Sequence, residues 1–492
     1  MRLTELLVAL SADSKALLDA EIRSVVTDSR RVAPGALFVA YRGERADGFD
    51  FVAEAESRGA AAIVSDRPRP ADTSIPWLQT PEPRRAAGLL ASRLFGEPAL
   101  KMRLVGVTGT NGKTTAALLL QKIFSVAWGD SGFLGTTGYF WKEEFRQATR
   151  TTPEAPEIAA MLSEMISRGV PACAMEVSSH ALALERVAGL SFDAALFTNL
   201  TRDHFDFHRN FDNYYGAKKL LFGLRKRGAP AIANRDDPFG RRLLEEIAGP
   251  TVSFSASGDS AADFRAVEVS LDLQGVRFCV EGGGAREPVD SPLLGRFNVE
   301  NLLGAWSTAV SLEIPAERIR AAIKDFRGAP GRMERVDAGQ PFTVLVDYAH
   351  TEDALRRLLL AVRELTDKTL ILVFGCGGDR DRGKREPMGR AAAELSDIPI
   401  VTSDNPRGEP PEDILKEVEV GLRAGGATKY LRFVDRREAI EAAVGLANER
   451  SVVLIAGKGH EQFQMIGGSA IPFDDRRVAA ESVRRLRRKT PS

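Results

Sequence analysis

The sequence predicts an α/β protein of several domains, on three observations. Short apolar runs alternate with helical patterns along most of the chain, as in a mostly parallel sheet flanked by helices. At 492 residues the chain exceeds what one hydrophobic core supports and implies about two to four domains. A proline-rich passage ending near Pro98, and a fresh series of strands from Met333, divide it into 1–98, 99–332 and 333–492.

In the first segment, "SVVTDS", "ALFVAY" and "AAAIVSD" read as strands and "FDFVAEAESRG" as a helical stretch. "RPRPADTSIPWLQTPEP" then suits a surface crossing before a further helix. In the second, "MRLVGV", "ACAMEVSS" and "AALFTNLT" are strands, and "PEIAAMLSEMISRG" has the three-and-four apolar spacing of a helix. "FRAVEVSLDLQGVRFCV" alternates like a hairpin. The third holds "FTVLVDYAH", "TLILVFGCGGD", "IPIVTSDNPR" and "SVVLIAGKGH", each an apolar strand ending in polar or glycine residues. Ligands of open parallel sheets bind at the carboxyl ends of strands, so the chemistry is expected at these exits.

Composition excludes several classes. Lys plus Arg (67) equals Asp plus Glu (67), so no net field draws the molecule to nucleic acid or an anionic membrane, and neither is expected as a partner. "RRVAAESVRRLRRK" reads as a solvated helix face. The N-terminal apolar run is too short and interrupted for a signal peptide, and no stretch approaches the ~18 apolar residues of a membrane helix. Cys173, Cys279 and Cys376 lack metal-type spacing, which fits a reducing cytoplasm.

The most informative stretch is "RLVGVTGTNGKTTAALLL", a strand, a glycine turn and a helix start. The strict phosphate-loop pattern wants glycine at Val107 and fails there, but Gly109 and Gly112 permit the tight turn. Backbone N–H groups at the helix start would cradle phosphates, Lys113 would reach the terminal ones, and Thr114 or Thr115 would hold Mg²⁺. A dinucleotide oxidoreductase is disfavoured because "GCGGDR" places Arg380 where the fingerprint needs its last glycine. A guanine-specific switch is disfavoured because no Asn-Lys-x-Asp follows a later strand.

All five histidines, His180, His204, His208, His350 and His460, fall in or beside polar segments after apolar runs. Glu176, at a strand tip, is placed to hold Mg²⁺ directly or through water. "TNLTRDHFDFH" offers Asn199, Asp203, His204, Asp206 and His208, whose oxygen-rich surroundings favour Mg²⁺ over zinc. In "LVDYAH", Asp347 could orient the His350 imidazole or cap the next helix.

"GTNGKTT", "MEVSSHAL", "FTNLTRDHFDFH", "GRFNVEN", "GRMERV" and "VDYAH" occur in this order and resemble the signature set of the Mur ligase family. "DSR", "GERADG", "GAKKLLF", "GCGGDRDRGKR", "SDNPRGE" and "AGKGHE" resemble its diaminopimelate-adding branch. The resemblance runs from Ser29 to Glu461. It implies a small N-terminal α/β domain for the UDP end of a precursor, a central ATP-binding domain and a Rossmann-like C-terminal domain that chooses the amino acid.

The resemblance also implies roles. ATP would lie on Gly109, Thr110, Asn111, Gly112, Lys113, Thr114 and Thr115, with Asn298, Asn301, Arg332 and Asp347 completing its site and Glu176 and His204 beside metal and phosphates. Ser29, Glu44, Arg45, Ala46, Thr151, Thr152, Ser178 and Arg186 would contact the UDP-muramoyl dipeptide. Lys218 aligns with a lysine carbamylated in the family; the carbamate would join Thr114 and Glu176 as metal ligands, turning a repelling cation into an anionic oxygen donor. Arg407 offers a planar fork for the distal carboxylate of diaminopimelate, which lysine lacks. Arg380, Asp404, Asn405, Pro406, Gly457 and Glu461 would surround the rest, the acids meeting the distal ammonium. The reaction implied is ATP-dependent, Mg²⁺-assisted amide-bond formation through an acyl phosphate, by a cytoplasmic monomer.

Three residues depart from the family's common pattern: Leu184 for a glutamine, Arg150 for an asparagine, and Glu352 for a proline. They bear on individual contacts and leave the reaction untouched. The rivals are the same ligase using L-lysine, another Mur-type or folylpolyglutamate-type ligase, and, from a different class, a nucleotide-binding regulator without turnover.

Overall fold

The structure is a computed structural model that describes residues 1–10, 20–43 and 46–489. Its residues gather into two compact units, one of Met1–Val267, Cys279–Glu287 and Glu300–Ile323, the other of Glu268–Phe278, Pro288–Val299 and Lys324–Ser492.

The first unit opens with a parallel sheet of β1 (Ser24–Val26), β2 (Ala36–Ala40), β3 (Ala60–Ser65) and β4 (Trp77–Gln79), in that order. Every residue of β2 is buried, as expected of a parallel strand covered on both faces. The helix Pro83–Leu94 follows, with proline in its first turn where a missing N–H costs nothing.

The larger sheet contains β5 (Arg103–Thr108), β6 (Ser131–Gly135), β7 (Gly138–Trp141), β8 (Glu144–Arg146), β9 (Ala172–Glu176), β10 (Ala194–Phe197), β11 (Ala231–Asn234) and β12 (Thr251–Ser255). Their order is β12-β11-β10-β5-β9-β6-β7-β8. From β12 to β6 neighbours are parallel, and β7 and β8 add an antiparallel edge. β13 (Phe264–Asp272) joins β12 through Phe254↔Phe264, and β14 (Gly275–Gly282) and β15 (Ala285–Ser291) complete the eleven strands. The expected hairpin is β13 and β14, turned by Asp272, whose Oδ1 accepts from Gln274 N at 2.7 Å and Gly275 N at 3.1 Å. The phosphate-loop strand β5 lies between β10 and β9, so the exits of all three open at one edge.

The second unit holds β16 (Glu334–Arg335), β17 (Thr343–Asp347), β18 (Thr369–Phe374), β19 (Ile398–Val401), β20 (Leu431–Arg432) and β21 (Ser451–Ala456), in the order β16-β17-β21-β18-β19-β20. All neighbours but β16 and β17 are parallel. Alternate residues of one strand serve two cores: Leu370, Leu372 and Phe374 join one cluster, Ile371 and Val373 the other. That period of two lets one apolar run bury both faces. A hairpin of β22 (Phe463–Ile466) and β23 (Ser469–Pro472) follows β21.

This unit also contains a fully buried ion pair. Arg436 donates to Asp475 through Nε and Nη2, both at 2.7 Å, and to the carbonyls of Ser403 and Ala456 at 3.3 and 3.0 Å. It thereby joins the exits of β19 and β21. Removing one partner strands a buried charge, so Asp475→Ala is expected to lower stability by about 3–5 kcal/mol in chemical denaturation.

Candidate active site

β5 ends at Thr108, and the chain turns through Gly109 (φ +151°) and Gly112 (φ +84°) into the helix Lys113–Trp128. A Cβ on Gly109 would stand 1.9 Å from Thr198 Oγ1, and one on Gly112 2.1 Å from Asn301 Oδ1, so neither position admits a side chain. The exit of β10 braces the loop: Thr110 N donates to Asn199 O at 2.8 Å, Asn111 N to Asn199 Oδ1 at 2.9 Å, and Thr198 Oγ1 to Asn111 O at 2.6 Å. Lys113 Nζ curls back to the carbonyls of Gly109 and Thr110, at 2.9 and 2.8 Å.

Glu176, wholly buried at the tip of β9, faces the start of this helix. Its Oε2 accepts from Thr114 Oγ1 at 2.9 Å and Thr136 Oγ1 at 3.3 Å, and its Oε1 from Thr136 N at 2.8 Å. Burial pushes the carboxyl above its ordinary value, although Lys113 and these hydrogen bonds pull it down. Thr152 Oγ1 donates to Glu176 O at 2.9 Å and accepts from Ser178 N at 3.0 Å. Thr136 Oγ1 lies 3.1 Å from Thr151 Oγ1, so these threonines and Ser178 adjoin the acid.

Lys218, on the helix Phe211–Gly223, is buried with Nζ 2.6 Å from Gly109 O and 4.4 Å from the centre of the Tyr214 ring. Burial, then the Lys113 charge, depresses its pKa well below the ordinary lysine range. The rings of His204 and His180 meet edge-on at 4.7 Å, and His204 Nε2 lies 3.4 Å from Asp203 Oδ2. His208 turns inward to Ser179 Oγ at 3.0 Å, its pKa pushed down to about 4 by burial and then by His180.

Ser29 is buried and donates to Glu54 Oε2 at 2.9 Å. Ala46 is exposed, while Glu44 and Arg45 lie outside the described residues. Arg186 Nε stands 3.0 Å from Glu154 Oε1, which also takes Arg150 Nη1 at 2.5 Å. The Arg150 departure thus shares a carboxylate with Arg186.

In the second unit, Asp347 at the exit of β17 accepts from Met333 N at 2.7 Å and Ala349 N at 2.8 Å, and the Arg332 guanidinium lies 4.9 Å from the Tyr348 ring centre. Burial raises the Asp347 carboxyl, with Arg332 opposing. Asp347 thus bonds backbone N–H groups, His350 Nδ1 meets Tyr348 O at 3.0 Å, and Thr351 caps the helix Glu352–Leu365. Asp347 therefore neither orients that imidazole nor caps that helix. Asn298 Nδ2 donates to Leu294 O at 2.9 Å.

The exits of β18, β19 and β21 bring the remaining candidates together. A Cβ on Gly377 would stand 2.9 Å from Arg407 Nη1 and 4.0 Å from Arg380 Cγ, so both arginines flank that glycine. Arg407 Nη1 donates to Gly378 O at 2.8 Å, and Pro406 lies buried beside it. Asp404 is buried behind Gly457, whose Cβ would stand 2.5 Å from Asp404 Oδ2. Burial raises its carboxyl, Arg436 and Lys458 opposing. Glu461 Oε2 accepts from Lys458 Nζ at 2.8 Å and Asn405 Nδ2 at 3.0 Å; its pKa is lowered, since those bonds and the Lys458 charge together outweigh burial.

Comparison with known proteins matches this arrangement along the chain. Residues 21–89 fit the model "Mur ligase family, catalytic domain", 107–309 the "Mur ligase middle domain" and 331–459 the "Mur ligase, glutamate ligase domain". The chain is 44% identical over 489 residues to the UDP-N-acetylmuramoyl-L-alanyl-D-glutamate–2,6-diaminopimelate ligase of Gloeobacter violaceus, covering 99% of each. The chain belongs to the Mur ligase family. A ligase of the same name from Solibacter usitatus is 42% identical over 467 residues, 94% of each chain. A solved structure titled as that ligase aligns with TM-score 0.74 and 31% identity, covering 94% of this chain and 95% of the other.

Mur ligases use ATP with Mg²⁺, and the residues present fit such a cation: Thr114, Thr136 and Glu176 offer hard oxygen donors around a buried acid. Among the described residues no group of three or more His, Cys, Asp and Glu could hold a metal ion, and no helix is long and apolar enough to cross a membrane. The sequence reading missed Thr136, Tyr214 and Lys458. Thr136 follows the apolar strand in "GFLGTTG", so the strand-exit rule already used could have found it.

Two outcomes follow for this Mur ligase. Gly112→Ala is expected to weaken ATP binding by at least about tenfold in calorimetry, because the added carbon displaces Asn301 and straightens the loop. An acid raised by burial costs stability above its unfolded value, so Glu176→Gln should stabilise the nucleotide- and metal-free protein at about pH 7.5, the gain vanishing below about pH 4.5. Thermal unfolding across pH reads both limbs.

Proposed function

We propose that this Mur ligase adds meso-diaminopimelate to the D-glutamate side-chain carboxylate of UDP-N-acetylmuramoyl-L-alanyl-D-glutamate, cleaving ATP to ADP and phosphate, in cytoplasmic synthesis of peptidoglycan precursor. The observation that carries the reaction is the convergence of a phosphate loop, a buried acid and two lysines around Gly109. For the choice of amino acid it is the Arg407 guanidinium beside Gly377, with the Arg380 stem close to the same glycine.

A carboxylate resists an amine because its charge repels nucleophiles and it lacks a leaving group. In the proposed sequence the glutamate carboxylate attacks the γ-phosphorus of ATP, and ADP leaves. Lys113 and the loop N–H groups hold the phosphoryl oxygens. The amine of diaminopimelate then attacks the acyl phosphate, and inorganic phosphate departs from the tetrahedral adduct. Mg²⁺, held by Thr114, Glu176 and a carbamylated Lys218, would neutralise charge on the phosphates. His204 is assigned beside the metal and phosphates, and Asn298, Asn301, Arg332 and Asp347 to the nucleotide. The depressed pKa of Lys218 supports the carbamate, because an uncharged amine adds to CO₂ and loses a proton.

Ser29, Glu44, Arg45, Ala46, Thr151, Thr152, Ser178 and Arg186 are assigned to the precursor. Arg380, Asp404, Asn405, Pro406, Arg407, Gly457 and Glu461 are assigned to diaminopimelate, within a C-terminal domain of 333–492 that follows domains of 1–98 and 99–332. The three family matches support those boundaries, which fall within or beside the intervals between them.

Phosphate release by the purified protein should require ATP, the precursor and diaminopimelate together, and equal rates with L-lysine would overturn the specificity. Arg407→Ala should raise the KM for diaminopimelate about ten- to hundredfold, from a lost charged hydrogen bond of about 1.5–3 kcal/mol, with the KM for ATP unchanged. With ¹³C-bicarbonate, a carbamate carbon signal should appear in the wild type and be absent from Lys218→Ala.

A further inference from the structure

The hairpin of β22 and β23 grips the Asp404–Arg407 segment along its length. Gln464 Nε2 donates to Asp404 O at 2.7 Å, and Met465 N to Asn405 Oδ1 at 3.0 Å. Arg407 N donates to Met465 O at 2.9 Å, and Gly467 N to Arg407 O at 2.8 Å. Arg407 has φ +53°, a conformation that costs a side-chain-bearing residue energy unless its surroundings hold it. The hairpin supplies that hold by bonding both backbone groups of Arg407.

Lys458 ties the hairpin to the same segment from beneath. Its Nζ is fully buried and donates to Asn405 Oδ1 at 3.1 Å, Glu461 Oε2 at 2.8 Å and Phe463 O at 2.7 Å. An ammonium only donates, so the Asn405 edge that faces it is the oxygen, and the amide nitrogen must point to Glu461. One side chain thus sets the rotamer of Asn405, the position of Glu461 and the start of β22. Gln464 is buried too, at 6% exposure.

We infer that Lys458 and Gln464 are positioning residues for the amino-acid substrate, setting Asn405, Arg407 and Glu461 through the hairpin without touching the substrate. The inference rests on the assignment of that segment to diaminopimelate. A displacement of about 1 Å in a positioned group costs up to about a hundredfold, so a lost brace registers in the amino-acid step first.

The test compares Lys458→Met and Gln464→Met, which conserve length and lose the donors, with Arg407→Ala and the wild type. Michaelis constants for diaminopimelate, ATP and the precursor are measured beside melting temperature. Each Met variant should raise the KM for diaminopimelate at least about tenfold while the other two constants stay within about twofold. Lys458→Arg, which keeps the charge and donors, should recover part of the loss. Equal changes in all three constants, or a lower melting temperature with the KM for diaminopimelate unmoved, would overturn the inference. If Lys458→Met fails to fold, Gln464→Met decides alone. An unmoved constant in Arg407→Ala would instead sink the assignment of the segment itself.

Discussion

The carbonyl oxygen of Gly109 accepts from two lysines at once, Lys113 at 2.9 Å and Lys218 at 2.6 Å. Burial, and then the Lys113 charge, depresses Lys218, so the shared carbonyl meets one ammonium and one amine that favours its neutral form. The loop therefore gathers the Lys113 charge against its own carbonyls, and that charge acts on the buried Glu176 carboxyl. The phosphates of the proposed nucleotide would face the same charge. Glycine at 109 and 112 is what lets Thr198 and Asn301 come close against the loop.

That constraint explains the neighbours. Thr198 and Asn199 brace the loop from the exit of β10, and Glu176 stands at the exit of β9, because the strands on either side of β5 deliver their last residues to the same edge. Burying an acid there is unfavourable by itself; three donors, Thr114 Oγ1, Thr136 N and Thr136 Oγ1, and the Lys113 charge offset part of the cost. The second unit repeats the plan of polar residues at parallel strand exits. Its exits carry Asp347, Arg380, the Asp404–Arg407 segment and Glu461, and the buried Arg436–Asp475 pair keeps two of those exits in register.

The alternation of strands and helices was legible because parallel strands must be apolar and helices must separate them. So were Gly109, Gly112, Lys113 and Glu176, since a phosphate loop and a strand tip are local patterns. What was not legible depends on distant pairing. Lys458 lies in "AGKGH" as an unremarkable cation, and only the fold shows its Nζ buried against Asn405 and Phe463. The short antiparallel strands β7 and β8 carry too few residues for a period to show. Asp347 and His350 have the spacing of a coupled pair, yet the strand exit aims the carboxylate at backbone N–H groups.

The central claim is that the terminal phosphoryl group of ATP passes to the precursor's carboxylate before the amine arrives. The most direct measurement labels that carboxylate with ¹⁸O and runs one turnover with diaminopimelate. The account predicts one labelled oxygen in each inorganic phosphate released. Phosphate carrying no label, alongside normal yield of the amide product, would contradict it.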